Sequence, residues 1–341
     1  MKLEEHPPFP WQQSMWGTLC SQFESQQLAH AFMISGSLGT GKKLFVREFA
    51  KFVMCMSPDK GLACGECRSC LFGEESGHPD ISLIEVEDGS RDIKIEQIRG
   101  LSNFLSQTSH AGRAKIAIIA DAHRMNFAAA NALLKTLEEP TAHTYLFLVS
   151  HLPGSLPATI RSRCQKLFMP IPTAEVAIDW IKRHLADQED PKAHALAARN
   201  CPLLALELAQ SGGLENQIQF LQKLKQLSVG KTSIQATATL AVKLGEQAVI
   251  GYLLEVSTIL IKYLLTNQQP SESESEYQDL LAWFRRDGVA SAQMPRRLMQ
   301  FYGLAVEAQR QLMSGSNPNP QLIMESLLWR WSQLSVLRQA A

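Results

Sequence analysis

The chain has 341 residues, and its 33 lysines and arginines are balanced by 33 aspartates and glutamates. This length exceeds what one hydrophobic core usually supports, so two or three domains are expected. A formal net charge of zero excludes a whole-chain field that would draw the protein onto nucleic acid. Any contact with DNA must therefore be local or shared with partners.

Composition also bears on the compartment. The first residues are acidic and include prolines, unlike a signal peptide. The longest apolar run, residues 252–265, is interrupted by Glu255 and Lys262, and we expect no bilayer-spanning segment and no membrane partner. Seven cysteines, an odd number, argue against a disulfide framework. We therefore expect a cytoplasmic protein.

The first predicted elements are a strand over residues 31–34, a glycine-rich loop over residues 36–43 and a helix. The loop reads Gly-Ser-Leu-Gly-Thr-Gly-Lys-Lys, whose backbone N–H groups and first lysine suit a nucleotide phosphate. The candidate nucleotide ligands are Gly36, Gly39, Gly41 and Lys42. A phosphate-binding loop normally ends in Ser or Thr, which ligates Mg²⁺, but Lys43 has no such oxygen. The pattern predicts a P-loop fold and leaves nucleotide binding open against a glycine turn that has lost its ligand.

Four cysteines follow this helix with the spacing C-x8-C-x2-C-x2-C. They are Cys55, Cys64, Cys67 and Cys70. Four thiolates suit a tetrahedral, structural Zn²⁺, and Gly65 suits the turn between two ligands. A ferredoxin-type iron–sulfur cluster would need a further cysteine where Glu74 stands. The spacing therefore predicts a zinc module rather than a cluster or four unrelated thiols.

The rest of the first half alternates strands and helices, which predicts a parallel sheet covered on both faces. Strands are predicted at 81–86, 115–120 and 144–150, and helices at 93–105 and 131–139. Asp121 follows the middle strand, where phosphate-loop ATPases carry an Asp-Glu pair, but a second acid is missing. Asp121 could equally cap a helix.

The second half is predicted to be helical. Pro170 and Pro172 suggest a domain boundary, and a break at residues 211–213 suggests another. An acidic loop is predicted at residues 271–276, and the last helix should begin at Asn319 and Pro320.

Four stretches in this order resemble the δ′ subunits of the bacterial DNA polymerase III clamp loader, a family in the AAA+ superfamily. They are the P-loop with its cysteines, Gly77-His-Pro-Asp80, residues 130–140 and Ile160-Arg-Ser-Arg-Cys164. The resemblance implies an α/β AAA+ P-loop domain with a parallel sheet and inserted zinc module (1–170), a small helical lid (171–212) and an all-α collar for oligomerisation (213–341).

The motor subunit of the same complex, τ/γ, shares the zinc module and the Ser-Arg-Cys motif. Three departures favour the δ′ family: Lys43 ends the P-loop, Ala120 replaces the magnesium-side acid, and Leu203 stands where the motor has a γ-phosphate-binding arginine. The resemblance therefore implies a subunit without its own ATPase activity in a DNA-directed DNA polymerase (nucleotidyltransferase) complex. Whether ATP or ADP binds at the altered loop stays open.

Arg163 is the catalytic residue that the resemblance implies, because the family's Ser-Arg-Cys arginine points at ATP bound to a neighbouring subunit. A surface arginine without this role is the alternative, and Arg161 is the residue most easily confused with it. The implied partners are the τ/γ motor and δ subunits and, through the complex, the sliding clamp and primed DNA.

Three functions follow from these patterns. The first is a non-hydrolysing clamp-loader subunit of the replicative polymerase. The second is an active AAA+ motor of the τ/γ type. The third, a zinc-bearing nucleic-acid binder acting alone, is disfavoured by the zero net charge and the lack of a basic–aromatic stretch.

Overall fold

A computed structural model describes residues 5–72, 77–110, 112–186, 189–266, 268, 277–285, 293–313 and 318–336. These residues form two compact units. The first unit runs to Pro191 and includes Ala198–Leu206, whereas the second holds Lys192–Ala197 and the described residues from Glu207 onward. The division into three domains stays a prediction. The acidic loop predicted at residues 271–276 lies outside the described residues.

The first unit is built on a parallel sheet. Its strands are Ala31–Ser35 (β1), Ile81–Ile84 (β2), Lys115–Ile119 (β3), Thr144–Ser150 (β4) and Gln165–Phe168 (β5). Within the described residues the order is β2-β3-β4-β1-β5, with the P-loop leaving the C-terminal end of β1. This sheet confirms the predicted α/β fold class with a parallel sheet. Sequence reasoning missed β5, because its exposed Gln165 and Lys166 lie at the sheet edge and break the apolar pattern of a buried strand.

Helices precede, connect and follow these strands. Those of the first unit are Gln13–Glu24 (α1), Lys42–Met54 (α2), Arg68–Leu71 (α3), Ile95–Ser106 (α4), Phe127–Glu138 (α5), Ala158–Arg161 (α6) and Ala174–Lys182 (α7). Helix α5 starts earlier than predicted because Asn126 caps it, its side chain accepting from the N–H of Ala129 at 2.8 Å. Its C-terminal end lies just before Pro140, as predicted.

The two faces of the sheet have different cores. On one face, aromatic rings from α1 and α2 pack against β4. The centroid of the Phe49 ring lies 5.7 Å from that of Trp16 and 5.9 Å from that of Phe147. On the other face, aliphatic side chains of α4 and α5 cover residues such as Met33 and Ala117. Burial on both faces stabilises the sheet and fixes the loops at its C-terminal edge, where the candidate site lies.

The second unit is helical, as predicted. The remaining helices along the chain are Pro191–Ala197 (α8), Pro202–Ser211 (α9), Gly213–Ser228 (α10), Ile234–Leu244 (α11), Glu246–Thr266 (α12), Gln278–Arg285 (α13), Met294–Met313 (α14) and Pro320–Val336 (α15). The part of α9 up to Leu206 belongs to the first unit. The predicted break falls between α9 and α10 at Gly212, which has φ +63°. The predicted start of the last helix is confirmed by Asn319, whose side chain accepts from the N–H of Gln321 at 2.9 Å.

Helix α12 is longer than the apolar run at residues 252–265 indicated. At 21 residues it is long and apolar enough, by length and composition alone, to cross a membrane. Most of it lies in the core of the second unit, packed along α14. Its Glu255 is buried and accepts hydrogen bonds from Tyr277 at 3.0 Å and Gln217 at 3.1 Å. These contacts are those of a core helix of a globular unit.

Candidate functional site

The P-loop connects β1 to α2, and its glycines adopt backbone conformations that other residues rarely adopt. Gly39 has φ +76°, and Gly41, which precedes α2, has φ +82°. A Cβ atom at Gly39 would lie 2.4 Å from the Cβ of Leu204, and one at Gly41 would lie 2.8 Å from the Nε2 of Gln12. The glycines are therefore required both by the turn and by the close approach of their own chain.

The loop is also held by hydrogen bonds to two other segments of the first unit. The carbonyl oxygen of Thr40 accepts from Trp11 Nε1 at 3.0 Å and from Gln12 Nε2 at 2.9 Å. The N–H of Leu203 donates to the carbonyl of Gly39 at 3.0 Å. The resemblance places Leu203 at the position of the motor's arginine. This position therefore holds an apolar side chain, and its backbone contacts Gly39 of the P-loop. Sequence reasoning did not single out Trp11 or Gln12, since no motif marks them.

Lys42, the predicted phosphate ligand, is turned onto the loop itself. Its Nζ atom donates to the carbonyl of Ser37 at 2.5 Å, and the residue is only 6% exposed. Burial lowers the pKa of Lys42 to about 8, although nearby Cys201 and Asp121 oppose this shift. The ammonium is thus still present at neutral pH but weakly solvated.

Lys43, which replaces the magnesium-binding hydroxyl, forms an ion pair with Glu85 just beyond β2. Both side chains are exposed. A lysine ammonium has no oxygen to offer Mg²⁺, and here it is paired with Glu85. Glu85 was not among the predicted site residues.

Asp121 lies at the N-terminus of a short 3-10 helix, Ala122–Arg124, but makes no side-chain cap hydrogen bond. Asp121 therefore occupies the N-cap position, as in the helix-cap alternative, but its side chain does not act as a cap. The Oδ1 atom of Asp121 lies 3.7 Å from Nδ1 of His151, which follows β4. Interaction with His151 lowers the pKa of the Asp121 carboxyl below its ordinary value. Ala120 is buried and supplies no second acid.

Arg163 follows the short helix α6 in a turn and is exposed. Its guanidinium pairs with Glu138 of α5 at 2.7 Å and donates to the carbonyl of Thr159 at 2.9 Å. Arg161 differs, because its Nε atom is buried and has no hydrogen-bond partner within the described part of the chain. Of the two arginines, Arg163 is the more exposed.

The four predicted metal ligands come together in one cluster. Neighbouring sulfur atoms of Cys55, Cys64, Cys67 and Cys70 are 3.5 to 4.0 Å apart. Four thiolates around one ion at a bond length of about 2.3 Å would be about 3.8 Å apart. Backbone N–H groups point at the sulfurs, as from Cys64 to Cys55 at 3.2 Å. The cluster could therefore bind a metal ion, and its donor set and spacing fit a closed, four-coordinate site.

The motif Gly77-His-Pro-Asp80 connects this cysteine cluster to the sheet. The N–H of Asp80 donates to Nδ1 of His78 at 3.0 Å, so the proton of His78 lies on Nε2, 2.9 Å from the hydroxyl of Ser69 in α3. Asp80 is fully buried and pairs with Lys115 of β3 at 3.3 Å. The motif thus has a structural role that sequence reasoning left unassigned.

Comparisons with known proteins agree with this architecture. The family model described as DNA polymerase III, delta subunit, matches residues 11–172, and the one described as DNA polymerase III, delta subunit, C terminal, matches residues 211–333. DNA polymerase III subunit delta′ of Pseudomonas aeruginosa is 30% identical over 328 residues, which cover 96% of this chain and 98% of that protein. The chain belongs to the δ′ family of DNA polymerase III subunits.

Two further relatives define the extent of the similarity. The δ′ subunit of Escherichia coli K12 is 28% identical over 324 residues, covering 94% of both chains. DNA polymerase III subunit tau/gamma of Haemophilus influenzae is 33% identical over 207 residues, but these cover 59% of this chain and 28% of that protein. The δ′ similarity therefore extends along the whole chain, whereas the τ/γ similarity covers little more than half of it.

Proposed function

We propose that the chain is a non-hydrolysing subunit of the DNA polymerase III clamp loader, which helps to load the sliding clamp onto primed DNA. The observation that carries this proposal is the ion pair of Lys43 with Glu85 at the place of the magnesium-side hydroxyl. The buried Ala120 and the Leu203 contact with the P-loop support it, because each occupies a position where a motor needs a charged group.

Within the assembly, Arg163 acts on ATP bound to a neighbouring subunit. Its exposure and its position in a turn after α6 support this role. A guanidinium can neutralise the charge that develops on the γ-phosphoryl group during transfer. The partners in this proposal are the τ/γ motor and the δ subunit, with the clamp and DNA engaged through the complex.

The cysteine cluster holds a structural Zn²⁺, supported by four thiolate donors and no open position. The protein works in the cytoplasm, where the replicative polymerase acts. Residues 1–170 form the AAA+ domain, 171–212 a lid, and 213–341 the collar that packs against other subunits. The P-loop glycines and Lys42 form a vestigial nucleotide site.

The test measures ATP turnover by the purified chain and clamp loading by a complex reconstituted with the τ/γ and δ subunits. We expect background turnover for the isolated chain, unchanged by Lys42→Ala, and loss of clamp loading when the chain is omitted. Turnover by the isolated chain that disappears in Lys42→Ala would overturn the non-hydrolysing assignment.

Two observations favour a second candidate, an active τ/γ-type motor. Over the matched region the chain is 33% identical to a τ/γ subunit, and Lys42 of the P-loop is present. The same turnover assay separates the candidates, since a motor must hydrolyse ATP through Lys42.

A further inference from the structure

A second group of metal-ligating side chains lies at the C-terminal edge of the sheet, away from the cysteine cluster. Asp121 follows β3, His123 lies two residues further in the short 3-10 helix, and His151 follows β4. Because β3 and β4 are paired and parallel, their C-terminal ends lie side by side. We infer that Asp121, His123 and His151 form a binding site for a divalent transition-metal ion, with Zn²⁺ the best fit.

The geometry brings the three donors within reach of one ion. One ligand atom from each residue lies within 4.8 Å of those of the other two. The two imidazole rings are 4.1 Å apart between centroids and nearly perpendicular, at 72°. Ligands at about 2.0–2.2 Å from a common zinc ion lie about 3.3–3.6 Å apart in a tetrahedron, so side-chain adjustments of about an ångström complete the site.

The surroundings of His123 also suit metal binding. The Nδ1 atom of His123 is buried without a hydrogen-bond partner in the described part of the chain, and a bound ion would supply one.

The donor set also selects the ion. Two imidazoles and one carboxylate favour Zn²⁺ and its neighbours in the first transition row over Mg²⁺, which prefers oxygen ligands. Positive charge from Lys42 and Arg124 acts on the same site and repels any divalent cation, so coordination by the imidazoles, rather than net charge, must supply the affinity. Three protein ligands leave a fourth position for water or an anion.

The experiment counts metal on the purified full-length chain after equilibrium dialysis against micromolar Zn²⁺. The wild type should bind two equivalents of Zn²⁺, and the double variant His123→Ala with His151→Ala should bind one. The control His110→Ala, which changes an exposed histidine outside the cluster, should bind two. Co²⁺ in place of Zn²⁺ gives a second readout, because only the cysteine cluster produces a thiolate-to-cobalt charge-transfer band. The double variant should keep that band and lose one equivalent.

A wild type that binds one equivalent while the thiolate-to-cobalt band is present, or a double variant that binds as many equivalents as the wild type, would overturn the inference. If the double variant does not fold, Asp121→Asn serves instead, since that side chain is about half exposed and makes no cap hydrogen bond. This variant should weaken the second equivalent at least about tenfold, and unchanged affinity would count equally against the site. None of these measurements depends on the clamp-loader role.

Discussion

The guanidinium of Arg163 pairs with the carboxylate of Glu138 at 2.7 Å, so the arginine proposed to act on a neighbour is held by its own chain. The two side chains are 37% and 49% exposed. An exposed pair of this kind contributes only about 0–1 kcal/mol, so a phosphate group on another subunit could displace Glu138. The pair sets the direction of Arg163 without fixing it permanently.

Arg163→Ala should leave the chain folded and able to assemble, because the side chain is exposed and its ion pair is weak. The ATPase rate of the reconstituted complex should fall, since an arginine finger contributes roughly 10³–10⁵ in rate at one site. Only the site facing this chain should be affected directly, so total turnover should drop in part. Steady-state ATPase assays on complexes of verified composition measure this.

Arg161→Ala is the neighbouring control and should reduce the complex ATPase much less. Glu138→Gln tests the ion pair itself, and should change the free energy of unfolding by less than about 1 kcal/mol. Equal ATPase rates in wild-type and Arg163→Ala complexes would leave Arg163 as a surface arginine.

Lys42→Met should stabilise the fold near pH 7 by about 1 kcal/mol. The folded pKa of Lys42, about 8, lies below its ordinary value of 10.5. Below pH 8 the lysine is protonated in both states, and burial of its charge costs up to about 3 kcal/mol. Loss of its hydrogen bond offsets part of this gain. The carbonyl of Ser37 still accepts from the Thr40 hydroxyl at 2.9 Å.

Lys42→Met should also change the pH dependence of the free energy of unfolding. Between pH 8 and pH 10.5 the unfolded wild type binds more protons than the folded one, so its free energy of unfolding rises with pH. Denaturant unfolding across this window should show that this rise is lost in Lys42→Met. Lys43→Met, at an exposed position, is the control and should keep it. Marked destabilisation by Lys42→Met at pH 7 would show that the ammonium stabilises the loop.

Gly39→Ala should destabilise the first unit more than Gly89→Ala. The two glycines have nearly equal φ, +76° and +77°, but only Gly39 has neighbours within 4 Å of an added Cβ. The left-handed backbone costs alanine about 1 kcal/mol at either position. Overpacking against Leu204 should increase the loss of unfolding free energy at Gly39 by about 1–3 kcal/mol. Equal losses in denaturant unfolding would mean that the loop can move away from its neighbours.

Cys67→Ser should release one equivalent of zinc and destabilise the surrounding module, because thiolate ligation is coupled to folding there. Elemental analysis and thermal unfolding of the purified chain measure both effects. Cys164→Ser, at a buried cysteine outside the cluster, should keep the metal. Iron in the wild-type protein, or no metal with intact thiols, would contradict the zinc assignment.

Local patterns in the sequence predicted much of this structure. The strand–loop–helix around the P-loop and the cysteine spacing each depend on near neighbours, and both are found as expected. What could not be predicted depends on contacts between distant segments. Nothing near Gln12 indicates that its amide reaches Thr40, and nothing near His151 places it beside Asp121. The pairing of β3 with β4 brings Asp121 and His151 together, and the packing of the N-terminal segment against the P-loop brings Gln12 to Thr40.

The close packing of the P-loop glycines has a consequence for how such chains are classified. Alanine at Gly39 or Gly41 would meet its own chain at 2.4 or 2.8 Å, whether or not a nucleotide is ever bound. Selection for a stable fold alone would then preserve the glycine signature after ATP hydrolysis is lost. A search for ATPases based on that signature alone would count this chain as an enzyme, whereas the proposed function, which depends on Lys43 and its partner Glu85, predicts that it is not one.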